Sequence, residues 1–448
     1  MAWGTSPSRP PSWLRLVVDG DPRAPDELAV LPGRTMGEGE WRALADAIKG
    51  GAAVRTLESP RGLASDGACA AMAEAMPGSA MEVLRIGAGR QVKDAALARL
   101  VRATAGLREL ALSGPGDARE ECWRALAEAV RNSTTLSTVV LENHDIERLD
   151  GLADAAAERH ARNDTLATLD VSSCNLAPAA AEQLGAAAAS LARFVANHCG
   201  AESGDGILRG LVPKLQGAPL VALFLRDGGV SDAAASALAS ALGAGAAPLL
   251  ADLSLARCNL SAQGLAALGT CVRQRHEKRL PALALDVSDN ERVGDDAVAA
   301  LADATAAADK GTGVGLMALD VSGTALTDRG AGEAARALGV GSRLCVNGAK
   351  LGANAAARLL ERARGAGWLT ECVHLRVCEC DVDTPTLIAL VDAVRDGAAP
   401  KLATLELGGN PCVGDLGADD DGNAAKDAVA VLRDVRDGID VHVRAAAS

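Results

Sequence analysis

Residues 166–176 read LATLDVSSCNL, residues 250–260 read LADLSLARCNL, and residues 316–326 read LMALDVSGTAL. One template fits all three: Leu-x-x-Leu-x-Leu-x-x-Asn/Cys/Thr-x-Leu, with Val or Ala accepted at some apolar places. In the first copy Leu169 and Val171 are two residues apart, so they point to one face of a short strand. Asp170 between them points to the other face, while Leu166 and Leu176 turn inward at the two ends. Cys174 falls where the chain leaves the strand, and a thiol or amide there can bond backbone groups that have left the ladder. His144, Cys199, Cys258, Asn290, Thr324, Cys380 and Asn410 take the same place in other copies, which gives these cysteines a structural use.

Weaker copies begin at Leu107, Leu136, Leu191, Leu220, Ala282, Cys372 and Leu402, and degenerate ones at Val54, Met81 and Gly341. From Leu107 to Leu402 the successive spacings are 29, 30, 25, 29, 30, 32, 34, 25, 31 and 30 residues, the period of a stacked repeat architecture. An Ala/Leu helical pattern follows each strand, as in Pro178–Ser190 and Ser231–Gly243. Ser231 reads as a helix N-cap and Gly243 as the stop. Over about residues 51–414 this pattern resembles the ribonuclease-inhibitor-like class of leucine-rich repeat proteins. That class includes the Ran GTPase-activating protein, tropomodulin and the sensor regions of NOD-like receptors.

The expected fold is therefore α/β, a horseshoe formed by a right-handed βα superhelix. Helices need about 10 Å of width and strands about 4.8 Å, so the parallel sheet takes the concave face and the helices the convex one. Residues 1–50 are expected to form an N-terminal cap, through Trp13–Leu16 and a helix around Trp41–Ile48. Residues 51–414 then form about 12–13 repeats, and residues 415–448 an acidic loop with a capping helix Ala424–Val435 and strand Ile439–Val443. Four departures from the repeat read as surface loops: Cys271–Pro281, Ala306–Gly315, Arg362–Trp368 and Val413–Asn423. Within the first, the basic segment Arg273–Arg279 is a candidate partner contact.

Composition narrows the function classes. The 448 residues carry a net charge of −13, which argues against nucleic acid as a partner, since phosphate neutralisation needs clustered Lys and Arg. Two Phe, five Trp and no Tyr nearly exclude stacking platforms for bases or sugars. No charge-free apolar run of 18 residues suggests a membrane span, and no secretory leader is visible. Eleven scattered cysteines fit reduced thiols, hence a cytoplasmic setting, with nucleus or ciliary axoneme as alternatives.

Motifs for chemistry fail in turn. None of the eight lysines follows a glycine, as a phosphate-binding loop requires, and Gly311–Gly315 precedes a strand rather than a helix. There is no Gly-x-Ser-x-Gly elbow, and His276-Glu277 is followed by Leu280 where a zinc-protease motif needs His. Cys372, Cys378 and Cys380 fall in different directions of the repeat, and Asp419–Gly422 lacks the flanking acids of a calcium loop. The sequence thus predicts no enzyme, no cofactor and no metal.

What remains is the concave face. Its residue between the second and third apolar places is Glu58, Arg85, Ala111, Val140, Asp170, Val195, Phe224, Ser254, Asp286, Asp320, Cys345, Arg376 and Glu406 in successive copies. The turn that follows adds Glu142, Arg226, Asp227, Arg257, Asp289 and Glu379. Phe224 as an exposed anchor, with Arg nearby and an acid-weighted surround, is what protein interfaces favour. The candidate partner-binding set is Glu142, Asp170, Phe224, Arg226, Arg257, Asp286, Asp320, Arg376 and Glu406. Asp is also common in this Leu-Asp-Val context, so Asp170, Asp286 and Asp320 read equally as plain solvated positions.

The expected function is a non-catalytic scaffold or adaptor, monomeric when free, that binds a protein on the concave surface without nucleic acid or membrane. Two alternatives stand beside it: a GTPase-activating protein resembling the Ran-directed family, and a structural subunit of a ciliary or cytoskeletal assembly. A GTPase-stimulation assay separates the first alternative from the scaffold.

Overall fold

The computed structural model describes residues 12–30, 35–63, 65–114, 118–164, 166–306, 315–349, 372–380, 382–396, 399, 401–412, 424–435 and 439–442. The chain forms two compact units. The first takes residues 1–214 and 218–220, the second 215–217 and 221–448.

In the first unit a parallel sheet runs in the order β1 (Glu27–Ala29), β2 (Thr56–Leu63), β3 (Val83–Ala88), β4 (Glu109–Ser113), β5 (Thr138–Glu142), β7 (Thr168–Asp170) and β9 (Arg193–Val195). A short parallel pair, β6 (Asp145–Ile146) and β8 (Asn175–Leu176), lies just past β5 and β7 in sequence. The second unit continues the same logic through β10 (Ala222–Phe224), β11 (Asp252–Ser254), β12 (Ala284–Asp286), β13 (Leu316–Asp320), β14 (Leu338–Cys345), β15 (Cys372–Arg376), β16 (Thr404–Glu406) and β17 (Asp440–His442). Helices separate most successive strands and back the sheet of each unit. Each unit is thus a leucine-rich repeat βα solenoid, with the strands on its inner curve because they need less width than the helices.

Register follows the repeat. Leu57, Leu84, Leu110, Val139, Leu169 and Phe194 align across the first sheet, and Leu223, Leu253, Leu285, Leu319, Leu344, Leu375, Leu405 and Val441 across the second. All are buried, and they form the spine of the core.

Where a strand is followed by Cys or Asn at the turn place, that buried side chain ties the turn to the preceding repeat. Cys174 donates its thiol proton to the Leu141 carbonyl (3.3 Å), Cys258 to Leu225 (3.2 Å) and Cys380 to Val346 (2.9 Å). Asn290 does more. Its Nδ2 donates to the carbonyls of Leu255 and Val287, and its Oδ1 accepts from the amides of Cys258 and Leu260. Asn410 repeats this set against Val377, Leu407, Cys380 and Val382. Thr324, with a shorter side chain, reaches only its own Val321 carbonyl.

The residue just before this place takes a left-handed conformation: Asn143, Ser173, His198, Arg257, Asp289, Gly323, Glu379 and Gly409 all have φ between 53° and 71°. Helix starts are stapled in a parallel manner. Asp94 accepts from the amides of Arg119, Glu121 and Cys122 one repeat on, and Asp232 and Asp295 accept from Ser261 and Thr327. The Ala/Gly bias of the helices lets them approach closely. A Cβ on Gly185 would lie 1.9 Å from the Ile207 carbonyl oxygen, and one on Gly210 1.9 Å from that of Glu182.

Several expectations need correction. Ser231 does cap its helix, but the helix runs Asp232–Ala244 and ends at Gly245 (φ 101°). Gly243 is a buried helical residue whose Cβ would collide with Gln274. Cys271–Glu277 is not a loop: it is the last half of the helix Ala262–Glu277, which nothing in its sequence breaks. At the N-terminus the helices Ser12–Val18 and Glu38–Lys49 flank β1, a strand the repeat pattern does not announce. The expected loops 362–368 and 413–423, and the glycine-rich run 311–314, lie outside the described residues.

Asn290→Ala leaves two backbone donors and two acceptors without partners in a dry interior. It is expected to destabilise the chain by roughly 4 kcal/mol or more, at about 1 kcal/mol or more for each of the four groups. Asn290→Cys, which copies positions 174 and 258, is expected to cost less than half of that. Urea denaturation followed by circular dichroism checks the order, and equal losses would refute it.

Candidate functional site

Strand pleating sends alternate residues to the inner face, and register turns them into columns. In the first unit Glu58, Arg85, Ala111, Val140, Asp170 and Val195 are successive neighbours. In the second the neighbours are Phe224, Ser254, Asp286, Asp320, Cys345, Arg376, Glu406 and His442. A second column lies two residues upstream on each strand. There Ala222, Asp252, Ala284, Ala318, Arg343, His374, Thr404 and Asp440 align in the second unit. The sequence reading overlooked it by taking one residue per repeat, although the same two-residue period predicts it. Arg343, His374 and Asp252 were missed for this reason.

The two columns of the second unit line a hollow of about 310 Å³, which contains Phe224, Ser254, Asp286, Asp320, Arg376 and Glu406 of the expected row together with Asp252, Arg343 and His374. Four carboxylates face two guanidiniums and one imidazole. At its basic side Glu406 is shared, one oxygen 3.1 Å from His374 Nε2 and the other 3.0 Å from Arg376 Nε. Arg343 is exposed and has no ion pair among the described residues. The first unit has a smaller hollow of about 250 Å³, where Arg85 is held by Glu109 at 2.7 Å and Glu58 at 3.9 Å. Glu142 lies on its margin, exposed.

Asp170, Asp286 and Asp320 are not plain solvated positions. Each is half-buried and accepts the backbone N–H two residues on, from Ser172, Ser288 and Ser322 respectively, at 2.9–3.0 Å. These are Asx turns, and they end the strand. Ser172 also donates its hydroxyl to Asp170 (2.6 Å) and accepts the amide of Asn197 in the next repeat, while Ser322 accepts that of Asn347. Ser254 donates to Asp286 Oδ2 at 2.7 Å. Burial holds the Asp320 carboxyl above the ordinary carboxylate range, and the Asp286 charge beside it pushes the same way.

Other candidates are placed differently from expectation. Phe224 is half-buried at one end of the hollow rather than exposed. Arg226 is engaged by Asp289 across two repeats. Arg257 is exposed in the left-handed turn at φ 53°. The basic segment 273–279 is largely spoken for: Arg275 is buried and donates to the carbonyl of Leu250 (2.7 Å), Arg273 pairs with Glu277, and Lys278 Nζ caps the Gly243 carbonyl.

The thiols and the buried imidazole have structural work. Burial pushes Cys174 up to about 12 and Cys199, Cys271 and Cys372 to about 11, so they stay protonated donors near neutral pH. His144 sits 5.3 Å from Trp123, edge to face, with Nε2 3.3 Å from the Leu112 carbonyl. Desolvation lowers its pKa below the usual 6.5. Among the described residues no group of three His, Cys, Asp or Glu side chains could hold a metal ion, and no helix is long and apolar enough to cross a membrane.

A leucine-rich repeat sequence family (Leucine Rich repeat) matches residues 283–302. Among curated proteins no sequence matches. Solved structures similar to this chain include the yeast Rad7–Elc1 complex, with 14% identity, a TM-score of 0.44 and 84% of each chain covered. An internalin, InlF of Listeria monocytogenes, has 15% identity and a TM-score of 0.39, over 88% of this chain and 92% of its own. The TLR13–ssRNA13 complex has 14% identity and a TM-score of 0.38, over 86% and 59%. At this level of likeness, what the chain does has to be read from its own residues.

Acid should act through His144. The unfolded imidazole takes its proton near pH 6.5 and the folded one only lower, so stability is level above 6.5 and falls as pH drops below it. It levels off again once pH is below the folded pKa. His144→Asn, which places the ladder residue of positions 290 and 410 in this turn, is expected to remove that loss. Melting temperatures between pH 7.5 and pH 5 check this, and an unchanged pH slope in the variant would refute it.

Proposed function

We propose that this leucine-rich repeat protein is a non-catalytic scaffold that takes a protein partner on the inner face of its strands. The observation that carries this reading is the hollow in the second unit. There Asp252, Asp286, Asp320 and Arg343 project from consecutive strands and have no ion pair among the described residues. Among the described residues, several charges of the helix layer are by contrast matched within the chain. The helix layer pairs Arg99 with Glu74, Arg102 with Glu128, Arg131 with Glu158 and Arg336 with Asp303. Unmatched charge on a rigid sheet is what steers and orients a partner of complementary pattern.

The helix layer is patterned differently: its pairs across neighbouring repeats are exposed, worth about 0–1 kcal/mol each, and neutralise one another locally. The chemistry of the site supports binding rather than turnover. Burial keeps the Cys345 thiol of the hollow protonated near neutral pH, and His374 is tied to Glu406 in a network that closes on Arg376 rather than opening to a nucleophile. The partner is accordingly expected to meet charge and shape, with recognition spread over several strands.

A photo-crosslinking residue placed at Ala318 or Thr404, on the inner face, is expected to trap the same partner in cell extract. The same residue at Ser240, exposed on the helix Asp232–Ala244, is expected to trap none of it. Crosslinks from Ser240 alone, analysed by mass spectrometry, would move the docking surface to the helices and overturn the reading.

A further inference from the structure

The charges in the hollow of the second unit are sorted, and the sorting has a length. Asp286 and Asp320 are register neighbours on β12 and β13, about 4.8 Å apart by strand spacing. Like charges at that distance repel, and Asp320 is half-buried, so both carboxylates gain from a cation set between them. Neither has one among the described residues. Their geometry is rigid, because each accepts the backbone N–H two residues on, and Asp286 also accepts the Ser254 hydroxyl.

On the next strand Arg343 stands in the neighbouring column, exposed and without an ion pair among the described residues. Arg376, two strands beyond Asp320, is already held by Glu406. The anion-binding position left open is therefore Arg343. From the midpoint of the two aspartates to Arg343 is about one and a half strand spacings across and two residues along. That is about 10 Å, or about three residues of extended chain.

We propose that this hollow recognises a protein segment carrying a lysine or arginine and, about three residues away, an aspartate or glutamate. The cation sits between Asp286 and Asp320, and the carboxylate pairs with Arg343. This rests on the reading of the inner face as the docking surface. The excess of carboxylates in the hollow disfavours phosphate-rich occupants such as nucleic acid or an anionic membrane. Arg343 in turn separates a mixed-charge segment from a purely basic one. Phe224, at the acidic end, offers an apolar contact to residues on the far side of the cation.

The test uses the full-length protein and fluorescent peptides of 11 residues in a Gly/Ser background. One carries Lys and Glu three residues apart, a second replaces Glu with Lys, and a third replaces Lys with Glu. Fluorescence anisotropy is expected to show the mixed peptide binding at least about tenfold tighter than either control, with affinity falling as salt rises from 50 to 300 mM. Asp286→Asn with Asp320→Asn keeps an oxygen for the Ser288 and Ser322 amides while removing the charge. It is expected to weaken the mixed peptide about tenfold or more, with an unchanged circular dichroism melt. Arg343→Glu is expected to invert the preference towards the Lys-Lys peptide.

Equal binding of the mixed and Lys-Lys peptides by the unaltered protein would reduce the hollow to a polycation surface and overturn the proposal. Absence of saturable binding, or indifference to the double Asn variant, would do the same. If the peptides fail while the inner-face crosslinks persist, the docking face stands and only this specificity is lost. If the crosslinks move to Ser240, the docking face itself is wrong.

Discussion

A chain that leaves a parallel strand every 25–34 residues abandons backbone N–H and C=O groups in a dry interior at every turn. In many of the turns one side chain meets them. Cys174, Cys258, Cys380, Asn290, Asn410 and His144 all bond a carbonyl of the preceding repeat, at the end of the preceding strand. Where it is present, that tie helps hold the register of the strand and so the direction of its inner-face side chains. It also explains a chemistry of substitution. Asn supplies donor and acceptor together, whereas a protonated thiol or an imidazole supplies chiefly the link back to the neighbouring carbonyl.

The acids of the chain are used in the same economy of backbone groups. Asp94, Asp232 and Asp295 staple the start of the next helix, and Asp170, Asp286 and Asp320 end their strands by accepting an amide two residues on. Much of the negative charge is therefore architectural in origin. Arginines answer it on the helix side, by pairs across neighbouring repeats, and at buried helix ends. Arg159 there donates to the Leu136 carbonyl and Arg275 to that of Leu250, equivalent places at the start of two strands.

The fold was legible because apolar period and turn chemistry repeat together: Leu-x-Leu alone would be ambiguous, but followed by Cys or Asn at a constant distance it specifies strand, turn and neighbour at once. The inner row of the second unit was legible for the same reason, down to the order Phe224, Ser254, Asp286, Asp320. What escaped was information not carried by the template. β1 has no Cys/Asn turn to announce it, and the helix through Cys271–Glu277 was mistaken for an insertion because its charges look like those of a loop. Burial of Arg275 along its stem, with the head on backbone carbonyls, shows why a basic run can belong to a helix end. The double role of Asp170 was invisible because its partner, the Ser172 amide, is offered only once the turn has formed.

That double role changes how charge on this surface should be read. An aspartate that ends a strand must be an acceptor, but nothing in that duty requires a negative charge, since an asparagine oxygen accepts the same amide. Asp286 and Asp320 stand side by side, half-buried, at a mutual electrostatic cost that two neutral amides would avoid. At the equivalent place on β11, beside Asp286, the chain uses Ser254, and on β14, beside Asp320, it uses Cys345, so the repeat tolerates uncharged side chains in this column. The charge at 286 and 320 is therefore surplus to the fold. Surplus charge, held rigid by the turns it also closes and opposed one strand on by Arg343, which has no ion pair among the described residues, is the part of this surface that a partner would meet.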